Sequence, residues 1–252
     1  MKFLPYKISQ EKKPLFIYLP GMDGSGRLLE SQRALYQNFE VRCLHFAHDR
    51  ASDWHGLIKP LIELLEREVD KGNYSGIYLC GESFGACLAL KLVEMIPHLF
   101  DRLILINSAS SFYRRSWLNL GTLITSVIPE TIYYGTTFIL FPFLVKISAI
   151  APLQRQILLD TLQSLHPHTV SNRIQLLDKF QLNFPKIKQF SKPVLIIASQ
   201  EDSLLPSVEE AQRLKQFFSQ SLIKILPHSG HCCLLEKKVN LQEIMHKYSF
   251  LH

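Results

Sequence analysis

"IYLCGESFGACLAL", residues 77–90, runs from an apolar stretch straight into a serine fenced by small residues. Gly81 stands two places before Ser83 and Gly85 two places after it. Ala86 and a helix-compatible run from Cys87 to Ile96 follow. A strand, then Gly-x-Ser-x-Gly, then a helix is the context of a nucleophile elbow, where bulky side chains two residues away would clash. A helix starting at the serine also aims its first amides at the site, where they favour negative charge. A glycine-rich turn with Ser83 as a plain helix cap would show the same residues, so the rest of the chain has to decide.

A serine nucleophile needs a base, and the base needs an orienting carboxylate, in the chain order Ser, acid, His. Two late apolar runs lead into loops that offer them. "PVLIIA" (193–198) precedes "SQEDSLLPS", with Asp202 and its neighbour Glu201; "LIKIL" (222–226) precedes "PHSGHCCLLE", with His228 and His231. Asp202 is the better acid because it directly precedes the turn into the next helix. His231 is the better base because it follows the flexible Ser229-Gly230 pair and precedes an apolar run.

Acyl chemistry also needs two backbone amides aimed at the developing oxyanion. One comes from the residue after the nucleophile, Phe84. The other comes from the loop after an early strand, here "LPGMDGSG" behind "LFIYL" (15–19), with Met22 as the donor. Gly21, Gly24 and Gly26 would let that backbone come close to a ligand. The loop is not a phosphate cradle: no Gly-Lys-Ser/Thr follows it, its glycine spacing is wrong for a dinucleotide turn, and Asp23 would repel a phosphate.

The remaining strand candidates are "VRCLHF" (41–46), "GIYLCG" (76–81) and "RLILIN" (102–107). Helical patterns alternate with them, including "WHGLIKPLIELLEREVD" and "SVEEAQRLKQFFSQ", where Ser207 and Glu210 have capping-box spacing. The alternation predicts an α/β fold with a mostly parallel central sheet and helices on both faces. The rhythm breaks between residues 111 and 190. That segment is expected as a helical cap inserted into a core formed by residues 1–110 and 191–252. Its first part is very apolar, but Glu130 and Lys146, with Pro129 and Pro142, cut it into pieces shorter than the roughly 18 residues of a membrane span. Trp117, Tyr133, Tyr134, Phe138, Phe141 and Phe143 are candidates to line a pocket for a long acyl or isoprenoid chain. Packing of the cap onto the core is the competing role for each.

Composition narrows the classes. Of 252 residues 47% are hydrophobic and 20% charged, which is globular, and the net charge of +6 is scattered without a basic run interleaved with aromatics. Nucleic acid is therefore not an expected partner, while peripheral contact with an anionic membrane is compatible with the charge. The cysteines (43, 80, 87, 232, 233) are odd in number and lack zinc-type spacing, and the first residues lack the apolar core of a signal peptide. A cytoplasmic, reducing location is the expectation. Cys232 and Cys233 beside His231 raise the question of a metal, but no second soft-ligand cluster accompanies them, and buried thiols are expected. "HDRASD" (48–53) fits the His-x4-Asp pattern of glycerolipid acyltransferases, yet Asp53 is better placed to cap the next helix.

Taken together, "YLPGMDGSG", "VRCLHF", "YLCGESFGACLALKL", "PHLFDRLILINSASSF", "LLPSVEEAQRL" and "LPHSGHCCLLE" resemble an α/β-hydrolase, and in particular the hydrolase-like domain of plant and cyanobacterial phytyl ester synthases. Pro20-Gly21 stands where many esterases have His-Gly, as in that group, and Ala86 stands where many relatives have a second glycine. The resemblance implies a serine hydrolase or acyltransferase working on an acyl ester or acyl-donor lipid, without metal or organic cofactor. Fatty acyl transfer to phytol is one form of that activity. A serine esterase or thioesterase for a small substrate, and a catalytically silent module that binds a membrane or partner, are the alternatives.

Overall fold

A computed structural model describes residues 1–6, 11–46, 51–114 and 141–251. Its centre is a seven-stranded sheet: β1 (Lys2–Phe3), β2 (Leu15–Leu19), β3 (Glu40–His45), β4 (Ile77–Glu82), β5 (Arg102–Ile106), β6 (Val194–Ser199) and β7 (Ser221–Leu226). The strands lie in the order β1-β3-β2-β4-β5-β6-β7, and all pairings are parallel except β1 with β3. The six apolar runs became six strands. The two-residue β1 is too short for any pattern to announce.

Every residue of β2 and β6 is buried, as a strand covered on both faces requires. The edge strand β7 instead leaves Leu222 and Ile225 exposed. Helices α1 (Leu35–Asn38), α2 (Trp54–Val69) and α3 (Phe84–Met95) precede the β5–β6 connection. Asp53 caps α2, its side chain accepting the Gly56 N–H at 2.7 Å, while His48 lies outside the described residues. Between β5 and β6 the described chain contains α4 (Pro152–Gln163), α5 (Pro167–Asp178) and α6 (Phe184–Ile187). Then come α7 (Ser207–Lys215) and α8 (Leu241–Lys247).

The capping box expected at the start of α7 does not form. Pro206 occupies the cap position, the Ser207 hydroxyl turns to Asp202, and the buried Glu210 pairs with Arg213 and accepts from Ser110. No helix among the described residues is long and apolar enough to cross a membrane.

Candidate active site

The carboxyl ends of the parallel strands bring the candidate residues together. At the end of β4 the chain enters α3 through Ser83, whose φ of 54° and ψ of −113° place a non-glycine residue in a sparsely populated, strained region. Its neighbours hold it there: the Ser83 N–H donates to the Ile106 carbonyl at 2.9 Å, and its own carbonyl accepts from Ala86 and Ala109. The flanking glycines have a measurable reason. A methyl on Gly81 would fall 2.3 Å from the Gly85 carbonyl oxygen, and one on Gly85 would fall 2.0 Å from that of Leu19. No side chain fits at either position.

Ser83, His231 and Asp202 form one hydrogen-bonded line. The Ser83 hydroxyl lies 2.9 Å from His231 Nε2, and His231 Nδ1 lies 2.8 Å from Asp202 Oδ2. Because the carboxylate can only accept, Nδ1 carries the proton and Nε2 is left to accept from the serine. Asp202 Oδ1 takes the backbone N–H groups of Leu204 and Leu205, each at 2.9 Å, and Oδ2 also accepts from Ser207. Burial alone would raise the Asp202 pKa. The positive field of His231 and hydrogen bonds from His231, Ser207 and Leu205 outweigh it and hold the carboxyl below its ordinary range. For His231, burial favours the neutral ring, but the Asp202 charge and hydrogen bond, with a further pull from Glu82, raise its pKa above the ordinary value.

The rival residues point elsewhere. His228 is exposed, with Nδ1 3.3 Å from Glu201, and Glu201 also pairs with Lys146. Phe84 begins α3 and is fully buried. The loop after β2 passes beside the serine: a methyl on Gly21 would sit 3.6 Å from Ser83 Cβ. That is ordinary van der Waals distance, so the approach of this loop to Ser83 does not depend on Gly21 lacking a side chain. Gly24 and Gly26, with φ of 62° and 72°, are the loop residues whose backbone favours glycine. Residues 21–24 form a turn closed by Gly24 N–H to Gly21 O at 3.1 Å.

Several residues around the site were not singled out by sequence. Asn107, at φ 43° just past β5, donates through Nδ2 to the His231 carbonyl at 2.6 Å and to Ser199 Oγ at 2.9 Å, and accepts the Ser199 N–H. An asparagine directly after a strand, where positive φ is common for that residue, was the available signal. Glu236 takes the Gly230 N–H at 2.8 Å and so steadies the loop carrying His231. Glu82, one residue before Ser83, is buried and accepts the Tyr18 hydroxyl. Cys232 and Cys233 are buried, and burial first, then neighbouring acidic groups, pushes both thiols well above their ordinary pKa. That makes them poor thiolate donors.

Residues 141–150 lie against the His231 loop. Cys232 N–H donates to the Leu144 carbonyl at 2.8 Å, and Phe141, Val145, Ile150 and Leu158 pack with Leu28, Cys232 and Leu235. Of the aromatics expected to line a pocket, Phe141 is therefore a packing residue and Phe143 is half exposed. Trp117, Tyr133, Tyr134 and Phe138 lie outside the described residues.

Comparisons with known proteins agree with this architecture. The family Hydrolase_4, described as serine aminopeptidase, S33, matches residues 47–238. Phytyl ester synthase 1 of the chloroplast of Arabidopsis thaliana is 32% identical over 93% of this chain, which spans 37% of that relative's length. Pimeloyl-[acyl-carrier protein] methyl ester esterase of Nitrosomonas europaea is 27% identical over 65% of this chain and 66% of its own. A hydrolase structure from Oleispira antarctica superposes with a TM-score of 0.77 at 16% identity, covering 95% of this chain and 92% of the other. The fold is that of the α/β hydrolases.

Proposed function

The chain belongs to the serine aminopeptidase S33 family of α/β hydrolases, and from that premise we propose that it is a serine esterase or acyltransferase acting on lipid-like carboxylic esters through an acyl-Ser83 intermediate. The observation that carries this reading is the line from Ser83 through His231 to Asp202, anchored at a serine in a strained backbone. His231 Nε2 takes the hydroxyl proton as Ser83 Oγ attacks the ester carbonyl carbon, and Asp202 stabilises the imidazolium so formed. The Met22 and Phe84 N–H groups hold the oxyanion; each such donor typically contributes about 2.7–4 kcal/mol to the transition state. The tetrahedral adduct collapses, the alcohol or thiol leaves with the His231 proton, and water or a second alcohol repeats the sequence to release the acyl group.

Residues 111–190 act in this reading as the helical cap. Its described part presses Phe141 and Val145 toward the His231 loop and leaves Phe143, Ile147 and Leu153 exposed. Such a surface suits a long acyl or isoprenoid chain and shallow contact with a membrane, from which that substrate is drawn. The similarity to a phytyl ester synthase supports phytol as an acyl acceptor, and the similarity to a methyl ester esterase supports hydrolysis of a smaller ester as the second reading.

Intact-protein mass spectrometry after exposure to a fluorophosphonate tests the mechanism. One adduct in the wild type, absent from Ser83→Ala and His231→Ala, is expected. A folded wild type that stays unlabelled with and without lipid vesicles overturns the proposal. Turnover of short- and long-chain esters, with and without phytol, then separates the two substrate readings.

A further inference from the structure

Arg173 is a buried cation to which the proposed mechanism assigns no part. It projects from α5, in the β5–β6 insertion, and is only 3% exposed. One arm of its guanidinium donates to the Met22 carbonyl, and the other donates to the Phe46 carbonyl at 2.6 Å. Its plane lies over the Phe46 ring, 4.4 Å from the centroid, and reaches toward the Phe84 ring at 5.9 Å. A single side chain of the insertion thus bonds Met22 and lies near the ring of Phe84, the two residues whose amides are assigned to the oxyanion.

Seating a helix on an apolar core does not require a charge. What an arginine adds is a planar fork that can bond two carbonyls at once while stacking on aromatic faces.

The carbonyls it holds explain why that is useful. Gly21 O is tied to Gly24 N–H, and in a trans peptide the Met22 N–H points opposite to Gly21 O. The next peptide, Met22–Asp23, is the central unit of the turn, so a bond to its oxygen holds the whole turn in place without touching the Met22 N–H. Arg173 grips its oxygen. Phe46, whose carbonyl takes the other arm, also donates its N–H to Gly24 O at 2.7 Å, so the same contacts close the far side of the turn.

We infer that Arg173 is a positioning residue that pins the Met22 turn where its N–H can meet the oxyanion, making the hole depend on the seating of α5. The inference rests on the assignment of Met22 and Phe84 as oxyanion donors. Without the clamp the turn shifts relative to the serine, substrate still binds, and the transition state loses part of its support.

The test compares wild type, Arg173→Met and Arg173→Lys on a p-nitrophenyl ester, with melting temperature and inhibition by an alkyl trifluoromethyl ketone measured alongside. The ketone forms a tetrahedral oxyanion adduct with an active serine. The methionine variant should lose about 10- to 100-fold in kcat with KM within about twofold, less than the roughly 100- to 1,000-fold typical of losing a donor outright. Ketone affinity should fall by the same factor as kcat/KM, and lysine should recover part of both. A folded methionine variant with unchanged kcat and ketone affinity overturns the inference, as does a folded lysine variant that recovers neither. So does a loss confined to KM or to melting temperature. If the methionine variant does not fold, Arg173→Gln takes its place on the same criteria. A wild type that neither turns over the ester nor binds the ketone overturns the hydrolase reading itself.

Discussion

The Ser207 hydroxyl donates to Asp202 Oδ2, the same oxygen that lies 2.8 Å from His231 Nδ1. The serine that sequence spacing assigned to a helix cap is thus spent on orienting a carboxylate. Hydrogen bonds to a charged acceptor contribute about 1.5–3 kcal/mol, so Ser207→Ala should destabilise the fold by roughly that amount at neutral pH. The sign of the pH dependence follows from the lowered Asp202 pKa. Its stabilisation is present above the unfolded value of about 3.9 and is lost as pH falls through the folded value. Urea unfolding should therefore show the gap between wild type and Ser207→Ala narrowing from pH 7 to pH 3. A constant gap would mean that Ser207 does not act through the ionised carboxylate.

The three glycines nearest Ser83 should separate sharply in stability. Gly81→Ala and Gly85→Ala each force a methyl to within 2.3 Å or 2.0 Å of a backbone carbonyl oxygen, with no flexible group able to yield. Each should cost at least the roughly 1–3 kcal/mol typical of overpacking. Gly21→Ala, whose new contacts begin at 3.6 Å, should stay within about 1 kcal/mol of wild type. Thermal melts of the three variants check the ranking, and a Gly21→Ala loss equal to that of Gly85→Ala would contradict it.

The raised pKa of His231 fixes where activity should fall. A general base must be neutral, so kcat/KM should decline as pH drops through an inflection above about 6.5, the ordinary histidine value. In Asp202→Asn the largest charge that raises this pKa is gone and burial remains, so the inflection should move down from its wild-type position. In the serine-protease template the equivalent change lowers kcat by about 10⁴, because the imidazole is left in the wrong tautomer. A pH profile on an activated ester, from pH 5 to pH 9, reads both effects. A wild-type inflection at or below 6.5 would remove the carboxylate from its assigned role.

These residues also show why some of the site was legible in sequence. Gly81, Ser83 and Gly85 are dictated by a steric rule acting over five residues, so the pattern survives in the bare chain. Asp202 and His231 follow strands whose apolar runs are short but unmistakable, and only the strand ends had to be located. Arg173 carries no such mark. Its acceptors, Met22 and Phe46, are 151 and 127 positions away, and the stretch that forms α5 carries no motif. Ser207 was misread because a local cap was the only partner that sequence could offer it, whereas Asp202 reaches it through the turn before α7.

Glu82 supplies the last prediction, because it is an acid placed where ionising is costly. Burial, opposed by the Tyr18 hydrogen bond and the field of His231, raises its pKa from 4.5 to about 7. A folded pKa above the unfolded one means that the stabilisation is fully present below about pH 4.5 and is lost as pH rises toward 7, because the unfolded chain releases the proton first. A shift of that size corresponds to a loss on the order of 3 kcal/mol. Glu82→Gln keeps an acceptor for Tyr18 and has no proton to release. Its stability relative to wild type should therefore improve by about that amount between pH 4 and pH 8, read as the difference in urea unfolding free energy at the two ends. A difference that stays flat across the window would show that Glu82 ionises inside the fold as easily as it does in water.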